Sequence, residues 1–169
     1  MSQKRFSSYA LAVPKLPQKI GLISDTHGLL REQALRALAG ADRIIHAGDV
    51  GTPEILESLR QIAPVIAVRG NIDTAPWANT LPVTAVVETS GPTIYVLHDL
   101  HQLDLKPAPV GFGIVISGHS HKHGREERDG VLYINPGSAG PRRFNLPVTL
   151  AWLYLEGLPW RVEFVELKI

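Results

Sequence analysis

The sequence predicts an α/β fold in which two β-sheets pack face to face with helices on the outside. Short apolar segments and amphipathic segments alternate over residues 20–68 in the order β-α-β-α-β. This alternation is typical of a parallel sheet with helices packed on it. Beyond Pro82 the segments are mostly strand-like, which indicates a second sheet in the rest of the chain.

The first half supplies three predicted strands and two predicted helices. Each strand is a short apolar run, and each helix carries its apolar residues at helical spacing. Thr52 and Pro53 form a typical helix start, and Gly40 and Pro64 are typical stops. The predicted elements are strand 20–24, helix 30–39, strand 43–47, the helix that starts at Pro53, and strand 65–68.

The second half is predicted to contain six further strands. Residues 83–88 and 93–97 flank the turn-forming sequence Ser90-Gly91-Pro92 and should form a hairpin. The remaining predicted strands are 113–117, 131–134, 148–155 and 160–167. We expect residues 148–155 to form an apolar edge strand that could pair between chains. A homo-oligomer is therefore possible, and the sequence does not determine the oligomeric state.

Composition limits the kinds of function. The 169 residues are 44% hydrophobic and 20% charged, and the net charge of +1 gives no indication of nucleic-acid or membrane binding. We expect a tail over residues 1–18 and a single domain over 19–169. The chain has no cysteine, so any metal must be held by oxygen and nitrogen ligands. No export signal is evident, which favours a cytoplasmic location.

The first predicted strand ends directly before Asp25 and His27. In an extended segment, side chains two residues apart point to the same side, so both groups can reach one point in space. A carboxylate beside an imidazole suits a divalent metal such as Mn²⁺, Zn²⁺ or Fe. Taken alone, the pair is more typical of a turn with an Asx hydrogen bond and a surface histidine.

Four other apolar runs end in the same way. If these strands share one sheet, the polar groups that follow them converge on one crevice beyond their carboxyl ends. Seven side chains result, which is more than one metal needs and suits two metals that share a bridging carboxylate. The candidates are Asp25, His27, Asp49, Asn71, His98, His119 and His121.

In this order, these motifs resemble those of the calcineurin-like metallophosphoesterases. The short chain and the segment from Asn135 to Ser138 are similar to the small bacterial and archaeal phosphodiesterases, a branch that includes the retromer scaffold relatives. The resemblance runs from about Ile20 to the C-terminus. It implies a four-layer α/β/β/α sandwich of two mixed sheets flanked by helices.

The resemblance also implies two ligand sets and a reaction. Asp25, His27, Asp49 and His121 would hold one divalent ion, and Asp49, Asn71, His98 and His119 the second. Mn²⁺ is the metal that the resemblance favours, with Zn²⁺, Fe or Ni²⁺ as alternatives. A metal-bridging hydroxide would attack phosphorus in line, which makes Asp49, Asn71 and His119 the expected catalytic residues.

The implied function is a metal-dependent phosphodiesterase or phosphatase acting on a small phosphate ester. The alternative is a weakly active or inactive scaffold or regulatory protein on the same fold. All seven ligand positions carry residues that can bind a metal, and this favours the enzyme.

The sequence departs from the family pattern at three places. Ile72 stands where many members carry a histidine that protonates the leaving group. Asp99 replaces a common glycine, and His101 is a second imidazole close to His98, which we assign as the ligand. The sequence Lys106-Pro-Ala-Pro109 is incompatible with the full helix that commonly follows, so we expect a shortened segment and a more open site.

Other residues near the predicted site have alternative or supporting roles. Asp73 could orient a ligand or His27, or could be an ordinary turn residue. Arg143, with Arg142, could contact a substrate phosphate or lie in an exposed loop. His46 is interpreted as a buried histidine behind the site. The segment from Asn135 to Ser138 is expected to support the site without binding metal.

Overall fold

The structure is a computed structural model, and it describes residues 18–169. The predicted tail over residues 1–18 therefore lies outside the described residues, except for Gln18. The carbonyl of Gln18 accepts a hydrogen bond from the backbone N–H of Leu155, at 2.8 Å. The chain is thus joined to the folded body from its first described residue.

The first half alternates strands and helices as predicted. Helix α2 begins at Pro53, where the missing N–H is tolerated, after Thr52 in an extended conformation. Helix α1 is shorter than the predicted segment 30–39. The elements are β1 (Lys19–Ile23), α1 (Glu32–Ala37), β2 (Arg43–His46), α2 (Pro53–Arg60) and β3 (Val65–Ala67).

The second half contains every predicted strand and one that we did not predict. The additional strand, Gly124–Arg128, has four exposed residues and no alternation of apolar and polar side chains, so its sequence carries no strand pattern. The elements are β4 (Thr84–Val87), β5 (Thr93–Leu97), α3 (Pro107–Val110), β6 (Phe112–Ile116), β7 (Gly124–Arg128), β8 (Val131–Asn135), β9 (Thr149–Tyr154) and β10 (Arg161–Glu166).

The strands form two mixed five-stranded sheets. The first has the order β10-β9-β1-β2-β3 and the second the order β4-β5-β6-β8-β7. In the first sheet β1, β2 and β3 run parallel, and in the second β5, β6 and β8 do. Strand β9 pairs with β1 on one side and β10 on the other, so our expectation of an edge strand at 148–155 was wrong.

The main core lies between the two sheets. Leu22 and Ile45 of the first sheet pack in one cluster with Val96, Ile114 and Ile134 of the second. Neighbouring residues along each strand point to the opposite face. On that face of the first sheet, Ile23 and Ile44 pack against Leu38 beyond α1 and Leu59 of α2. The first sheet is therefore buried on both sides.

The outer face of the second sheet has a thinner cover. Tyr95, Leu97 and Val115 are packed there by leucines of the segment between β5 and β6. This segment has only a short 3₁₀ helix at Leu100–Gln102 and the four-residue α3. The expected absence of a regular helix through 103–110 is therefore confirmed. The whole is the predicted four-layer α/β/β/α sandwich.

Within residues 18–169, no helix has the length and the apolar character that crossing a membrane would require.

Candidate metal centre

All seven candidate ligands follow strands of the two sheets at one end of the sandwich. Asp25, Asp49 and Asn71 come after β1, β2 and β3 of the first sheet, and His98 and His119 after β5 and β6 of the second. The ligand-bearing strands therefore belong to two sheets. Their predicted convergence had assumed that they share one. Their side chains meet because the parallel strands of both sheets end on the same side of the interface.

The backbone at five of these ligands adopts an unusual conformation. Asp25, His27, Asp49, His119 and His121 have φ between 47° and 67°. This left-handed region is rare for residues other than glycine. Backbone hydrogen bonds hold two of the turns together, since the N–H of Asp25 donates to the Gly48 carbonyl and that of His27 to the Asp49 carbonyl.

The first group of ligand atoms surrounds the side chain of His27. Its Nε2 lies 3.8 Å from Asp25 Oδ1 and 3.6 Å from Asp49 Oδ2. The Nε2 of His121 lies 3.3 Å from His27 Nε2 and 3.3 Å from Asp25 Oδ1. Ligand atoms bound tetrahedrally at about 2.1 Å are separated by about 3.4 Å. These spacings therefore match the edges of one coordination shell.

The second group surrounds the side chain of His98. Its Nε2 lies 3.3 Å from Asp49 Oδ1 and 3.1 Å from Asn71 Oδ1. His119 joins from the other side, with Nδ1 3.0 Å from Asn71 Oδ1. Asp49 thus directs one oxygen toward each group. Asp25, Asp49 and His98 also present ligand atoms within 4.8 Å of one another, so the two groups are contiguous.

One buried oxygen provides an independent test of whether a cation fits here. Asp25 is fully buried, and its Oδ1 has no hydrogen-bond partner within residues 18–169. An unpaired buried carboxylate oxygen is costly, whereas coordination to a cation would satisfy it. The imidazole nitrogens of His27 and His121 face this same atom. The residues present therefore fit a divalent ion.

Hydrogen bonding prepares His98 to be a ligand. Its Nδ1 donates to the carbonyl of Ala47 at 2.7 Å, which leaves Nε2 unprotonated in the neutral ring. Burial disfavours the charged form of His98, but the hydrogen bonds that the protonated ring donates to Asp49 and Ala47 outweigh burial and raise its pKa above the ordinary value. A cation that binds Nε2 therefore takes the place of this proton. The contact between His98 and Asp49 also affects the pKa of Asp49.

Asp49 is held in its ionised form. Burial opposes the charge of this carboxylate, but hydrogen bonds from His98 and from the Ile72 N–H outweigh burial and lower its pKa. The carboxylate is only 4% exposed. Asp49 is therefore already ionised at neutral pH, and its oxygens can bind a cation without first losing a proton.

The loop that follows β8 lies against the first ligand group. Burial lowers the pKa of His27, Asp49 opposes this effect, and the positive charge of Arg143 adds to it. Arg143 is exposed, yet its charge acts on His27. The structure thus places this candidate residue in an exposed loop and also within electrostatic range of the site.

Side chains from two neighbouring segments fix the ligand loops. Ser24 Oγ donates to Asp25 Oδ2 at 2.6 Å, and Ser138 Oγ donates to the Asp25 carbonyl at 3.0 Å. Asn135 Nδ2 donates to the Gly118 carbonyl at 2.8 Å. The segment from Asn135 to Ser138 therefore supports two ligand loops, as the family resemblance implied.

Asp73 supports two of the ligand loops through their backbone. Its carboxylate accepts hydrogen bonds from the backbone N–H groups of Val50, Gly51 and Gly70, at 2.9–3.1 Å. Within residues 18–169 it has no hydrogen bond to His27. Asp73 therefore ties the loop that carries Asp49 to the loop that carries Asn71. This agrees with the prediction that Asp73 could orient a ligand, whereas no hydrogen bond supports the alternative that it orients His27.

His46 lies behind the ligands and is fully buried. Its Nδ1 accepts from the Gly48 N–H at 3.2 Å, and its Nε2 lies 2.9 Å from Thr26 Oγ1. The Thr26 hydroxyl donates to the Val50 carbonyl, so the His46 Nε2–H must be the donor to Thr26. Burial lowers the pKa of His46 to about 4, which keeps this ring neutral.

Asp99 is a site residue whose contact the sequence did not reveal. Its Oδ2 lies 3.9 Å from His119 Nε2, and its Oδ1 is 3.0 Å from Nδ1 of His101. The side chain of His101 is 92% exposed and stands away from the buried ligands. The position of Asp99 directly after His98, where the family commonly has glycine, was the signal that could have identified it.

Comparison with known proteins gives one consistent result. Residues 19–157 match the calcineurin-like phosphoesterase superfamily domain. A probable metallophosphoesterase of Methanocaldococcus jannaschii is 36% identical over 132 residues, which are 70% of this chain and 67% of that protein.

Solved structures show the same similarity. An archaeal phosphodiesterase superimposes with a TM-score of 0.73 and 27% identity, over 87% of this chain and 99% of the other. Vps29 of Chaetomium thermophilum has a TM-score of 0.72 and 19% identity, over 88% and 97% of the two chains. At that identity, the second similarity concerns the fold alone.

Proposed function

The chain belongs to the calcineurin-like phosphoesterase superfamily, and within it we propose a phosphodiesterase that uses two divalent metal ions. The observation that carries the proposal is the position of Asp49, whose two oxygens face His27 and His98 in two contiguous ligand groups. The similarity to an archaeal phosphodiesterase supports the diester as substrate.

The ligand assignment belongs to the same proposal. Asp25, His27, Asp49 and His121 hold one ion, and Asp49, Asn71, His98 and His119 hold the other. Mn²⁺ is the ion proposed from the family resemblance, and the oxygen and nitrogen donors also suit Zn²⁺, Fe or Ni²⁺. When bound, such a pair lowers the pKa of a water molecule and offsets the charge that develops during in-line attack on phosphorus.

Asn71 and His119 border the opening, and both are exposed. The Oδ1 of Asn71 faces the ring nitrogens of His98 and His119, which leaves its NH₂ group free to donate. We assign this group to a phosphoryl oxygen, where a hydrogen bond strengthens as negative charge grows. Asp99 Oδ2, 3.9 Å from His119 Nε2, places a negative charge beside this ring.

Leaving-group chemistry follows from Ile72. This side chain is 40% exposed beside Asn71 and can donate no proton. The enzyme therefore acts best on esters whose leaving group departs without general-acid assistance. We expect the rate to rise steeply as the leaving alcohol becomes more acidic.

The proposal is tested with a chromogenic diester, bis(4-nitrophenyl) phosphate, against the monoester 4-nitrophenyl phosphate. We expect Mn²⁺-dependent hydrolysis that favours the diester and is lost in EDTA. Turnover that survives exhaustive chelation would contradict the two-metal proposal. Metal binding without turnover of either ester would instead support a scaffold or regulatory protein on this fold.

A further inference from the structure

An open groove of 310 Å³ adjoins the candidate metal centre. Its lining includes Asp99 and His119, which adjoin the ligands, together with Tyr133 of β8, Lys122 and Arg125. Sites of this size hold a small molecule or part of one. The groove therefore has room for one ester arm of a bound phosphodiester, while the phosphorus lies at the ligands.

The groove carries unbalanced positive charge. Its lining has three cationic side chains, Lys122, Arg125 and Arg128, and two acidic ones, Asp99 and Glu126, which gives a net charge of +1. Glu126 pairs with Arg128 at 2.7 Å, and Asp99 accepts a hydrogen bond from the backbone N–H of His101. Lys122 and Arg125 are exposed, and neither takes part in an ion pair within residues 18–169. Two cations are thus available to a ligand.

A second pair of cations lies on the other side of the ligands. Arg142 and Arg143 are exposed in the loop after β8. The start of this loop packs closely on the loop that carries Asp25 and His27, since a Cβ at Gly140 would overlap the Thr26 carbonyl. The net charge of the chain is only +1. Positive charge is therefore concentrated around the opening and attracts polyanions.

We propose that the groove binds an ester arm that carries a second phosphate group, and that Lys122 and Arg125 recognise this phosphate. The proposal rests on the proposed phosphodiesterase function and narrows its substrate to phosphodiesters with a further anionic charge. Guanidinium and ammonium groups give charge-assisted hydrogen bonds to phosphate oxygens.

The test compares two substrates that differ only in this phosphate. Thymidine 5′-(4-nitrophenyl phosphate) and its 3′-phosphorylated form share the leaving group and the nucleoside. At low ionic strength we expect kcat/KM to be at least about tenfold higher for the 3′-phosphorylated form, a difference that salt should reduce. A ratio close to one would overturn the proposal.

Variants locate the preference in the groove. The double variant Lys122→Ala and Arg125→Ala should bring the ratio close to one, and Arg125→Glu alone should bring it below one. The control removes the same charge elsewhere, with Arg60→Ala and Lys168→Ala, both exposed, and should keep the wild-type ratio. A ratio that survives in the groove variants would also overturn the proposal.

Failure of the groove and failure of the enzyme can be distinguished. Calorimetry on the Mn²⁺-loaded protein compares thymidine 3′,5′-bisphosphate with thymidine 5′-phosphate and needs no turnover. Tighter binding of the bisphosphate that is lost in Arg125→Glu supports the groove proposal, even if neither ester is hydrolysed. Absence of hydrolysis overturns only the proposed function. Equal binding of both nucleotides overturns the groove proposal alone.

Discussion

Single residues at this site adopt strained conformations that local contacts stabilise. Left-handed backbone at a non-glycine residue costs about 1 kcal/mol or more, and five candidate ligands have it. The side chains that secure the turns, among them Asp73 and Ser24, are buried and hydrogen-bonded. This pattern is typical of a site whose geometry is fixed before a ligand binds.

At this scale the sequence identified ligand types but not contacts. The spacing and order of residues indicated the candidate aspartates and histidines, because a strand end appears in the sequence as an apolar run followed by polar groups. The contact of Asp99 with His119 and the role of Asp73 depend on loop conformations. Neither dihedral angles nor partners of loop residues are encoded in the spacing.

The first prediction concerns Asp49. Replacement by alanine removes an oxygen from each ligand group, so we expect kcat to fall by more than about 100-fold, beyond the usual effect of a residue that only supports a ligand. Bound Mn²⁺, measured by elemental analysis after desalting, should fall from two ions to one or none per chain. Glu57→Ala, an exposed change on α2, is the matched control. Near-normal turnover in Asp49→Ala would remove this residue from the bridging position.

The second prediction concerns His46 and pH. Because its pKa is about 4 in the folded chain and about 6.5 in the unfolded chain, the unfolded state takes up the proton first as pH falls. Folding stability is therefore lost below about pH 6.5, and the loss levels off near pH 4. Between pH 7 and pH 5 this histidine accounts for a decrease of about 2 kcal/mol.

The measurement is the free energy of unfolding in urea at both pH values. His46→Gln should lose about 2 kcal/mol less than the wild type over this interval, whatever its stability at pH 7. His101→Gln, at a position whose side chain is 92% exposed, should behave like the wild type. Identical pH dependence in His46→Gln and the wild type would show that His46 is not the group responsible.

Secondary-structure elements position the site through their ends. Strands with buried residues were predictable, since apolar runs bounded by glycine and proline are distinctive. Strand β7 was not, because a charged edge strand lacks this signature. This strand carries Arg125, so the groove beside the ligands could not have been proposed from the sequence.

The third prediction belongs to the loop after β3. A Cβ at Gly70 would overlap the backbone nitrogen and the Oδ1 of Asp49. Gly70→Ala should therefore displace this carboxylate and weaken Mn²⁺ binding by at least about tenfold, as measured by calorimetry. Gly91→Ala, where the nearest atom is 3.7 Å away at Trp160, should bind metal like the wild type. Equal affinities in the two variants would mean that Asp49 does not need its present position.

At the scale of the whole molecule, the candidate metal centre joins two sheets. Hydrophobic patterning distinguished the sheet-forming segments but not their partners, because it records which face is buried and not which strand lies alongside. The sequence therefore left open whether the ligand-bearing strands share a sheet. In the structure, Asp25 and Asp49 come from one sheet and His98 and His121 from the other.

The final prediction follows from this arrangement. Ions held by both sheets bind the folded chain and not the unfolded one, so they should stabilise it by about 2.7 kcal/mol per site at 100 times the dissociation constant. For a chain of this size, that corresponds to a rise in Tm of roughly 5–10 °C for each site. The measurement is calorimetric unfolding in Mn²⁺ and in EDTA.

Two variants separate this effect from general stability. Ile114→Ala, in the core between the sheets, should lower the free energy of unfolding by about 2–5 kcal/mol and keep most of the Mn²⁺ increment, because its side chain is remote from the ligand atoms. Asp49→Ala should lose most of the increment because, in the proposed assignment, both ions share this carboxylate. If Mn²⁺ raised the Tm of Asp49→Ala as much as that of the wild type, the stabilising ions would lie elsewhere, and the proposal that a metal pair links the two sheets would fail.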